Sequence, residues 1–302
     1  MSSVTPVPGE SNGKPRDAST ATAWCAIVTV VLQVGMSIAP PLISFEHVRK
    51  HFDGGGGAPP VLAVDDLSIK VASGEFLAIV GASGSGKTTL LRLANRLIVP
   101  DGGRIAIDGA DIANADAIAL RRSIGTVFQS GGLFPHMSVA DNIGITPRLL
   151  GWPTAQIAAR VDELMALVRL DPAAHRGRLP HQLSGGQRPR VSVARALAAR
   201  PRIVLMGEPF GALDPLTRNA LSEDYRGLHH ELGLTTLMIT HDMAEALLLA
   251  DRIAAMRGGR IVAQGTAREL AAVDDADIDN LLQTPRRQAE RLRELLPRNA
   301  AS

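Results

Sequence analysis

Cysteine and aromatic residues are scarce in this sequence, and their scarcity excludes several kinds of protein. Cys25 is the single cysteine among 302 residues, so an internal disulfide framework cannot form, and the eight histidines show no spacing typical of a zinc site. We therefore expect a reducing compartment. Aromatic residues make up 3% of the chain and are not interleaved with basic ones, as single-strand nucleic-acid binding requires. Nucleic acid is not an expected partner.

The remaining composition is typical of a globular protein. Hydrophobic residues make up 45% of the chain, which is ample for a buried core, and the formal net charge is only +2. Residues 1–42 differ from the rest: the first 16 are rich in Pro, Ser and Gly, and residues 18–45 carry no charge. We interpret 1–42 as an N-terminal extension that is either disordered and dispensable, with Met36 as an internal start, or in contact with a membrane.

The most informative stretch is Gly81–Thr89, which fits the pattern G-x-x-x-x-G-K-[ST] between an apolar run, Phe76–Val80, and a helical pattern. Glycines let backbone N–H groups surround phosphate oxygens. Lys87 would reach the β- and γ-phosphates, and the Thr88 hydroxyl would ligate Mg²⁺. The alternative is a Gly/Ser-rich turn that caps an ordinary helix, which the flanking strand and helix disfavour. The candidate nucleotide-binding residues are Gly81, Ser83, Gly84, Ser85, Gly86, Lys87, Thr88 and Thr89.

A second candidate anion site lies at Leu183–Gln187, before a helix rich in Ala, Arg and Leu that we expect to run to about Arg200. Ser184 can act as its N-cap, and the glycines that follow expose N–H groups at the positive end of the helix dipole. Pro189 would lie about five residues into this helix, where it removes a backbone bond. The candidate binding residues here are Ser184, Gly185, Gly186 and Gln187.

Polar residues follow three predicted strands at the point where each strand ends. Gln129 follows Ile124–Phe128, Glu208 follows the strand at Arg202–Met206, and His241 follows Thr235–Thr240. Open α/β sheets bind ligands at the carboxyl ends of their strands. The residues taken alone also allow the reading that Glu208 and His241 are surface or helix-capping residues.

Shorter patterns fill in the rest of the domain. β-type runs are predicted at Ile43–Phe45, Val61–Val64 and Leu67–Val71, and Phe52 after the first run either stacks on a purine ring or belongs to the core. Apolar residues at helical spacing predict helices at 138–150 and 155–170, which form a helical insertion over about 132–183.

Together these motifs resemble the ATP-binding subunit of an ABC transporter over Ile43–Gly265. The phosphate loop, Gln129, the LSGGQ signature, Glu208, Ala212-Leu213-Asp214 and His241 occur in the order typical of that family. The resemblance implies an α/β P-loop NTPase fold with a RecA-like core, an antiparallel β subdomain and an α-helical subdomain, followed by a helical tail over 266–302.

The family also implies roles for the site residues and partners for the chain. Glu208 would polarise the attacking water, His241 would contact the γ-phosphate, and Gln129 would sense Mg²⁺ or γ-phosphate. Two copies would enclose two ATP molecules as a homodimer, with Ser184 acting across the interface and Asp214 near it. Expected partners are the transmembrane permease subunits and, indirectly, an external solute-binding protein, with the chain peripheral to the cytoplasmic face of the inner (plasma) membrane.

Stretches outside the shared motifs resemble ATPases of quaternary-amine and osmoprotectant uptake, with glycine betaine or choline as expected solutes. These stretches are Leu120–Gly125, Phe128–Asn142, Leu149–Trp152 and Thr284–Gln288. The apolar segment Leu133–Pro135 is predicted either to receive a permease helix or to form an internal hydrophobic turn.

One departure from the family affects the chemistry. Gly207 stands where the family carries an aspartate directly before the glutamate, so the carboxylate that orients Mg²⁺ is missing. Glu223 and Asp224 are acidic, but they fall on a predicted helix and are not assigned to the ion. The alternative to an importer ATPase is therefore an ATP-binding regulatory subunit that hydrolyses poorly, and another small solute also remains open.

Overall fold

The structure is a computed structural model that describes residues 41–54, 60–128, 132–211 and 213–273, with the single positions 279, 281, 283, 287, 290 and 291. The predicted extension lies outside the described residues apart from its last two positions. So do Gln129, Ala212 and most of the predicted C-terminal helical tail.

The described residues form ten strands and nine α-helices. The strands are β1 Pro41–Phe52, β2 Val61–Ala72, β3 Phe76–Val80, β4 Gly102–Ile107, β5 Ala110–Asp111, β6 Ile124–Val127, β7 Ile203–Gly207, β8 Thr235–Thr240, β9 Arg252–Arg257 and β10 Arg260–Gly265. The helices are α1 Lys87–Ala94, α2 Ala117–Ser123, α3 Val139–Leu149, α4 Thr154–Leu167, α5 Pro172–His175, α6 Gln187–Leu197, α7 Pro215–Glu231, α8 Met243–Leu249 and α9 Ala267–Leu270, with 3-10 turns at Ile112–Asn114 and Pro180–Gln182.

One sheet is antiparallel and has the strand order β2-β1-β4-β5. The three short runs predicted for its first two strands are parts of two strands of 12 residues each. The pairing of β1 with β2 shifts register between Phe45 and Val48, and His47 and Asp66 have positive φ. These bulges accommodate the polar residues that interrupt the apolar pattern within each strand. The pattern therefore predicted several short strands where the structure has two long ones.

The second sheet has the order β10-β9-β3-β8-β7-β6 and is parallel from β9 to β6. Side chains of β3 alternate between two cores: Phe76, Ala78 and Val80 lie in one, Leu77 and Ile79 in the other. Both faces are therefore covered, as parallel sheets require. Because β3, β7 and β8 are neighbours, the residues that follow them meet at one edge.

The helical insertion packs on one side of this sheet. Val139 and Ile143 of α3, Val161 and Leu164 of α4 and Val191 of α6 belong to the same buried cluster as Phe76. Helix α6 begins at Gln187, later than predicted, so Pro189 is its third residue. Arg188 N already donates to Ser184 O at 3.3 Å, so the N–H that Pro189 lacks is the next helical donor, and its loss falls in the first turn, which can spare it.

Within the described ranges, no helix is long and apolar enough to cross a bilayer.

Candidate functional site

The phosphate loop lies between β3 and α1, and its glycines are required by close backbone approaches. A Cβ on Gly81 would lie 2.2 Å from the Met256 carbonyl oxygen, and one on Gly86 would lie 2.1 Å from the Ala63 carbonyl oxygen. Gly86 precedes α1 with a φ of 104°. The loop is thus pressed against β9 and β2, and larger residues would displace it from the start of α1.

Lys87 is held inside this loop. Its Nζ donates hydrogen bonds to the carbonyls of Gly81 (2.7 Å) and Ala82 (2.9 Å) and to Ser85 Oγ (3.3 Å). The residue is only 5% exposed, and burial lowers the pKa of its ammonium, while the negative charge of Glu208 opposes that shift. Ser83, Gly84 and Thr88 are exposed at the same place, and Thr89 is half-buried.

Glu208 and His241 are brought together as the sequence predicted. Their strands are neighbours, Glu208 N donates to Ile239 O at 2.9 Å, and His241 Nδ1 lies 3.2 Å from Glu208 Oε2. Glu208 has a φ of 47°, a left-handed conformation that is uncommon outside glycine and is found at functional sites. The Glu208 side chain is 19% exposed and that of His241 58%, so the pair faces solvent at the same edge as the phosphate loop.

The signature stretch forms a compact turn. Ser184 N donates to Gln187 Oε1 at 2.9 Å, and Gln187 N donates to Ser184 Oγ at 3.3 Å. Ser184 therefore bonds to the start of α6 as predicted, but Gly186 is the N-cap residue. Ser184 and Gly185 are exposed, whereas a Cβ on Gly186 would lie 2.7 Å from Thr217 Cγ2. The turn thus contacts the first turn of α7.

Asp214 is the N-cap of α7. Its Oδ1 accepts a hydrogen bond from Thr217 N at 3.0 Å, and this bond, together with the Thr217 hydroxyl, lowers the pKa of its carboxyl. Asp214 therefore fixes the start of the helix that the signature turn touches.

Phe52 and Asp224 have clear outcomes in the structure. Phe52 is 39% exposed, with Lys50 Nζ 5.6 Å from its ring centroid, so the core alternative was wrong. Asp224 forms ion pairs with Arg169 (2.7 Å) and Arg190 (2.9 Å), which accounts for its charge without a metal. Gln129 lies outside the described residues, so its predicted role stays a prediction.

The structure also shows functional candidates that the sequence did not single out. Arg218 of α7 donates to Asp242 Oδ2 at 2.8 Å, directly after His241. Glu245 of α8 is 3% exposed and accepts a hydrogen bond from the Thr240 hydroxyl, directly before His241. No local pattern distinguishes these charged residues from others on amphipathic helices, so no sequence signal could have found them.

The residues fit ATP well and Mg²⁺ with a reduced set of ligands. The described residues contain no group of three or more His, Cys, Asp or Glu side chains that could hold a metal ion, and Gly207 ends β7 without a carboxylate. Magnesium keeps several waters and commonly binds through one or two protein ligands plus substrate phosphates. The exposed hydroxyl-bearing residue Thr88 can supply one such ligand beside the loop.

Known proteins resemble this chain in sequence and in fold. The sequence profile of the family described as ABC transporter matches residues 64–211. The chain is 47% identical over 229 residues to the "Choline transport ATP-binding protein OpuBA" of Bacillus subtilis, covering 76% of this chain and 58% of that protein. It is 49% identical over 224 residues to the "Glycine betaine uptake system ATP-binding protein YehX" of Escherichia coli, covering 74% of this chain and 70% of that protein.

The aligned part of the chain spans less than two thirds of the Bacillus subtilis relative. Among solved structures, this chain resembles the dimeric ATP-binding cassette MJ0796 in a post-hydrolysis state bound to ADP and Pi. That match has a TM-score of 0.67 and 30% sequence identity, and covers 74% of this chain and 98% of the other. The P-loop NTPase fold with its antiparallel β and helical subdomains is therefore confirmed, and the chain belongs to the ABC transporter family.

Proposed function

We propose that this protein is the ATP-binding and ATP-hydrolysing subunit of an importer for a small quaternary amine such as glycine betaine or choline. The observation that carries the proposal is the contact between Glu208 and His241 at the same sheet edge as the Lys87 loop. The branch is supported by relatives named for choline, glycine betaine and carnitine transport.

ATP would bind at the phosphate loop around Lys87. The ammonium of Lys87 faces the carbonyls of Gly81 and Ala82, and phosphate oxygens would be stronger acceptors because they are charged. The α1 N-terminus adds its N–H groups and dipole. Phe52 is exposed and would stack on the purine ring.

Hydrolysis would depend on the Glu208–His241 pair. The Glu208 carboxylate would accept a hydrogen bond from the attacking water and orient it, and His241 would contact the γ-phosphate from the neighbouring strand. Positioning and charge stabilisation supply most of the catalysis in phosphoryl transfer. Mg²⁺ would be held by Thr88 and by Gln129, and would neutralise charge on the phosphate oxygens when bound.

We infer that two copies act together, with Ser184 of each completing the nucleotide site of the other. Ser184 and Gly185 are exposed, and the turn they form is held by its own hydrogen bonds. The start of α6, with Ser184 and Gly185 exposed beside it, suits a phosphate brought by a second chain. The resemblance to a dimeric cassette supports this arrangement.

The permease would dock on the segment Leu133–Pro135, which would place the protein on the cytoplasmic face of the membrane, with a solute-binding protein as an indirect partner. Phe134 is 42% exposed, and buried Asn142 braces its backbone, accepting from Phe134 N at 2.8 Å and donating to Phe134 O at 3.2 Å. A braced apolar side chain suits a docking surface. Leu133 is packed against the core, as the internal-turn alternative expects.

A second candidate function is favoured by Gly207. A subunit that binds ATP, dimerises and hydrolyses slowly would have the same phosphate loop and the same Glu208. Such a regulatory subunit would differ from an importer ATPase only in its rate of ATP hydrolysis.

The test is ATP hydrolysis by the purified protein with Mg²⁺, compared with Glu208→Gln and with Glu231→Gln as an exposed control at the end of α7. The importer proposal expects measurable turnover that falls by at least about 10²-fold in Glu208→Gln alone. Turnover no higher than that of Glu208→Gln would favour the regulatory function. Uptake of glycine betaine, choline and spermidine by the assembled transporter would then identify the solute.

A further inference from the structure

Arg218 joins two loops that are distant in sequence. From α7, its Nη2 donates to the carbonyls of Leu213 (3.0 Å) and Gly211 (3.4 Å), while its Nη1 donates to Asp242 Oδ2 (2.8 Å). Gly211 and Leu213 precede α7, and Asp242 precedes α8. A single planar guanidinium therefore spans both helix starts.

Asp242 is itself fixed on the other side. Its Oδ1 caps α8 by accepting from Ala244 N (2.8 Å) and Glu245 N (3.3 Å), and its own N–H donates to Thr240 Oγ1 (3.0 Å). The Thr240 hydroxyl in turn donates to Glu245 Oε2. The residues on both sides of His241 thus belong to one hydrogen-bonded network.

This network leaves two buried polar atoms unsatisfied. Among the described residues, neither Arg218 Nε nor Glu245 Oε1 has a hydrogen-bond partner. Burial raises the pKa of the Glu245 carboxyl, and the charge of Arg218 opposes that shift. Unsatisfied buried atoms are costly, and a protein retains them mainly where geometry matters more than stability.

The loop that carries Gly211 and Leu213 also lies beside the surface proposed to meet a second copy. Thr217, in the first turn of α7, touches the signature turn at Gly186, and a Cβ on Gly211 would lie 3.9 Å from His241 Cε1. A shift of this loop would therefore pull on the guanidinium and, through Asp242, on the backbone of His241.

We propose that Arg218 is a positioning residue for hydrolysis, transmitting the position of the loop at Gly211 and Leu213 to His241 and so setting the His241–Glu208 contact. The inference rests on the proposed role of His241. It does not require Arg218 to touch nucleotide. A displacement of about 1 Å at a catalytic group can cost about 10²-fold in rate, so the link can affect turnover without affecting ATP binding.

The chain offers a matched control for this link. Arg226, on the same helix, bonds to the Leu249 carbonyl and to Asp251 (2.6 Å), and so holds the other end of α8. Arg218→Met should lower kcat by about tenfold or more with KM for ATP changed less than twofold. Arg226→Met should leave kcat within twofold of the parent. It should lower the melting temperature by about as much as Arg218→Met does.

A double-mutant cycle separates transmission from simple loss of stability. Asp242→Asn keeps an oxygen to cap α8 but removes the charge that faces Arg218. The double variant Arg218→Met/Asp242→Asn should be no slower than the slower single variant, because both changes break one link. Multiplicative losses in kcat would overturn the proposal.

A readout independent of turnover completes the test. Amide hydrogen exchange over residues 239–243 of the full chain should become faster in Arg218→Met and stay unchanged in Arg226→Met. Unchanged exchange in Arg218→Met would overturn the proposal whatever the rates. The role of His241 is tested separately, since His241→Ala with undiminished kcat would refute that role while leaving the exchange result to decide whether Arg218 holds this segment.

Discussion

The Arg195 guanidinium lies 5.9 Å from the ring centroid of Phe134 and donates a 2.7 Å hydrogen bond to the Gly132 carbonyl. Arg195 belongs to α6, the helix that follows the signature turn, and Phe134 belongs to the segment proposed to receive the permease. A cation over an aromatic face and a partly buried hydrogen bond together join the two. Movement of α6 would therefore reach the proposed docking segment directly.

Phe134→Asp should abolish solute uptake while leaving ATP hydrolysis by the isolated protein within about twofold. The charge would disrupt an apolar docking surface, whereas the ring contacts described for Phe134 are with Arg195 and His136. Uptake and co-purification with the permease are the measurements. Ile118→Asp is the matched control, because Ile118 is 57% exposed on α2 and lies outside the proposed surface. Normal uptake by an assembled Phe134→Asp transporter would contradict docking at this segment.

Lys87→Ala should weaken ATP binding by at least about tenfold, since a hydrogen bond to a charged group contributes about 1.5–3 kcal/mol and Lys87 would make more than one. The measurement is direct titration with a fluorescent ATP analogue. Arg92→Ala, in the last turn of the same helix and exposed, controls for loss of a cation from α1. Equal affinities for both variants and the parent would refute the proposed role of Lys87.

Gly207→Asp should raise turnover and lower the Mg²⁺ concentration needed for half-maximal ATPase activity. The added carboxylate would accept hydrogen bonds from the waters of the ion, and Mg²⁺ with Lys87 would offset its repulsion from Glu208. ATP affinity should change little. Rates are measured against Mg²⁺ concentration for both proteins, and superimposed curves would mean that Gly207 is not a catalytic defect.

Glu245→Gln should change the pH dependence of stability. Burial, the largest cause, raises the pKa of this carboxyl above its usual value, the nearby Asp242 acts in the same direction, and Thr240, Arg218 and His241 oppose it. With the pKa raised in the folded state, the stability contributed by the protonated form is present below the unfolded pKa of about 4.3 and is lost as pH rises through the folded value. Glutamine does not titrate.

The free energy of unfolding of Glu245→Gln, relative to the parent, should therefore increase from pH 4 towards pH 8. Chemical denaturation at several pH values measures this difference. Glu223→Gln, a change at an exposed position on α7, should give parallel curves. Parallel curves for Glu245→Gln would mean that this carboxyl keeps the same proton affinity in the folded and unfolded chain.

The sequence by itself determined the parts of the site that depend on consecutive residues. The phosphate loop, the Ser184 turn and the placement of Glu208 and His241 after strands all follow from local patterns. Strand β8 has the predicted bounds, Thr235–Thr240, because its apolar run is buried on both faces and is bounded by polar residues. The missing carboxylate at Gly207 is also visible from the sequence alone.

Only the tertiary structure decided which charged residues pair with one another. Arg218 meets Asp242 across 24 positions and Asp224 meets Arg190 across 34, and no local pattern encodes either pairing. The exposure of Phe52 depends on which strand edges are covered. The loss of helical hydrogen bonding at Pro189 depends on the residue at which α6 begins. Local periodicity specifies the elements, but long-range packing determines their ends and which polar groups meet between them.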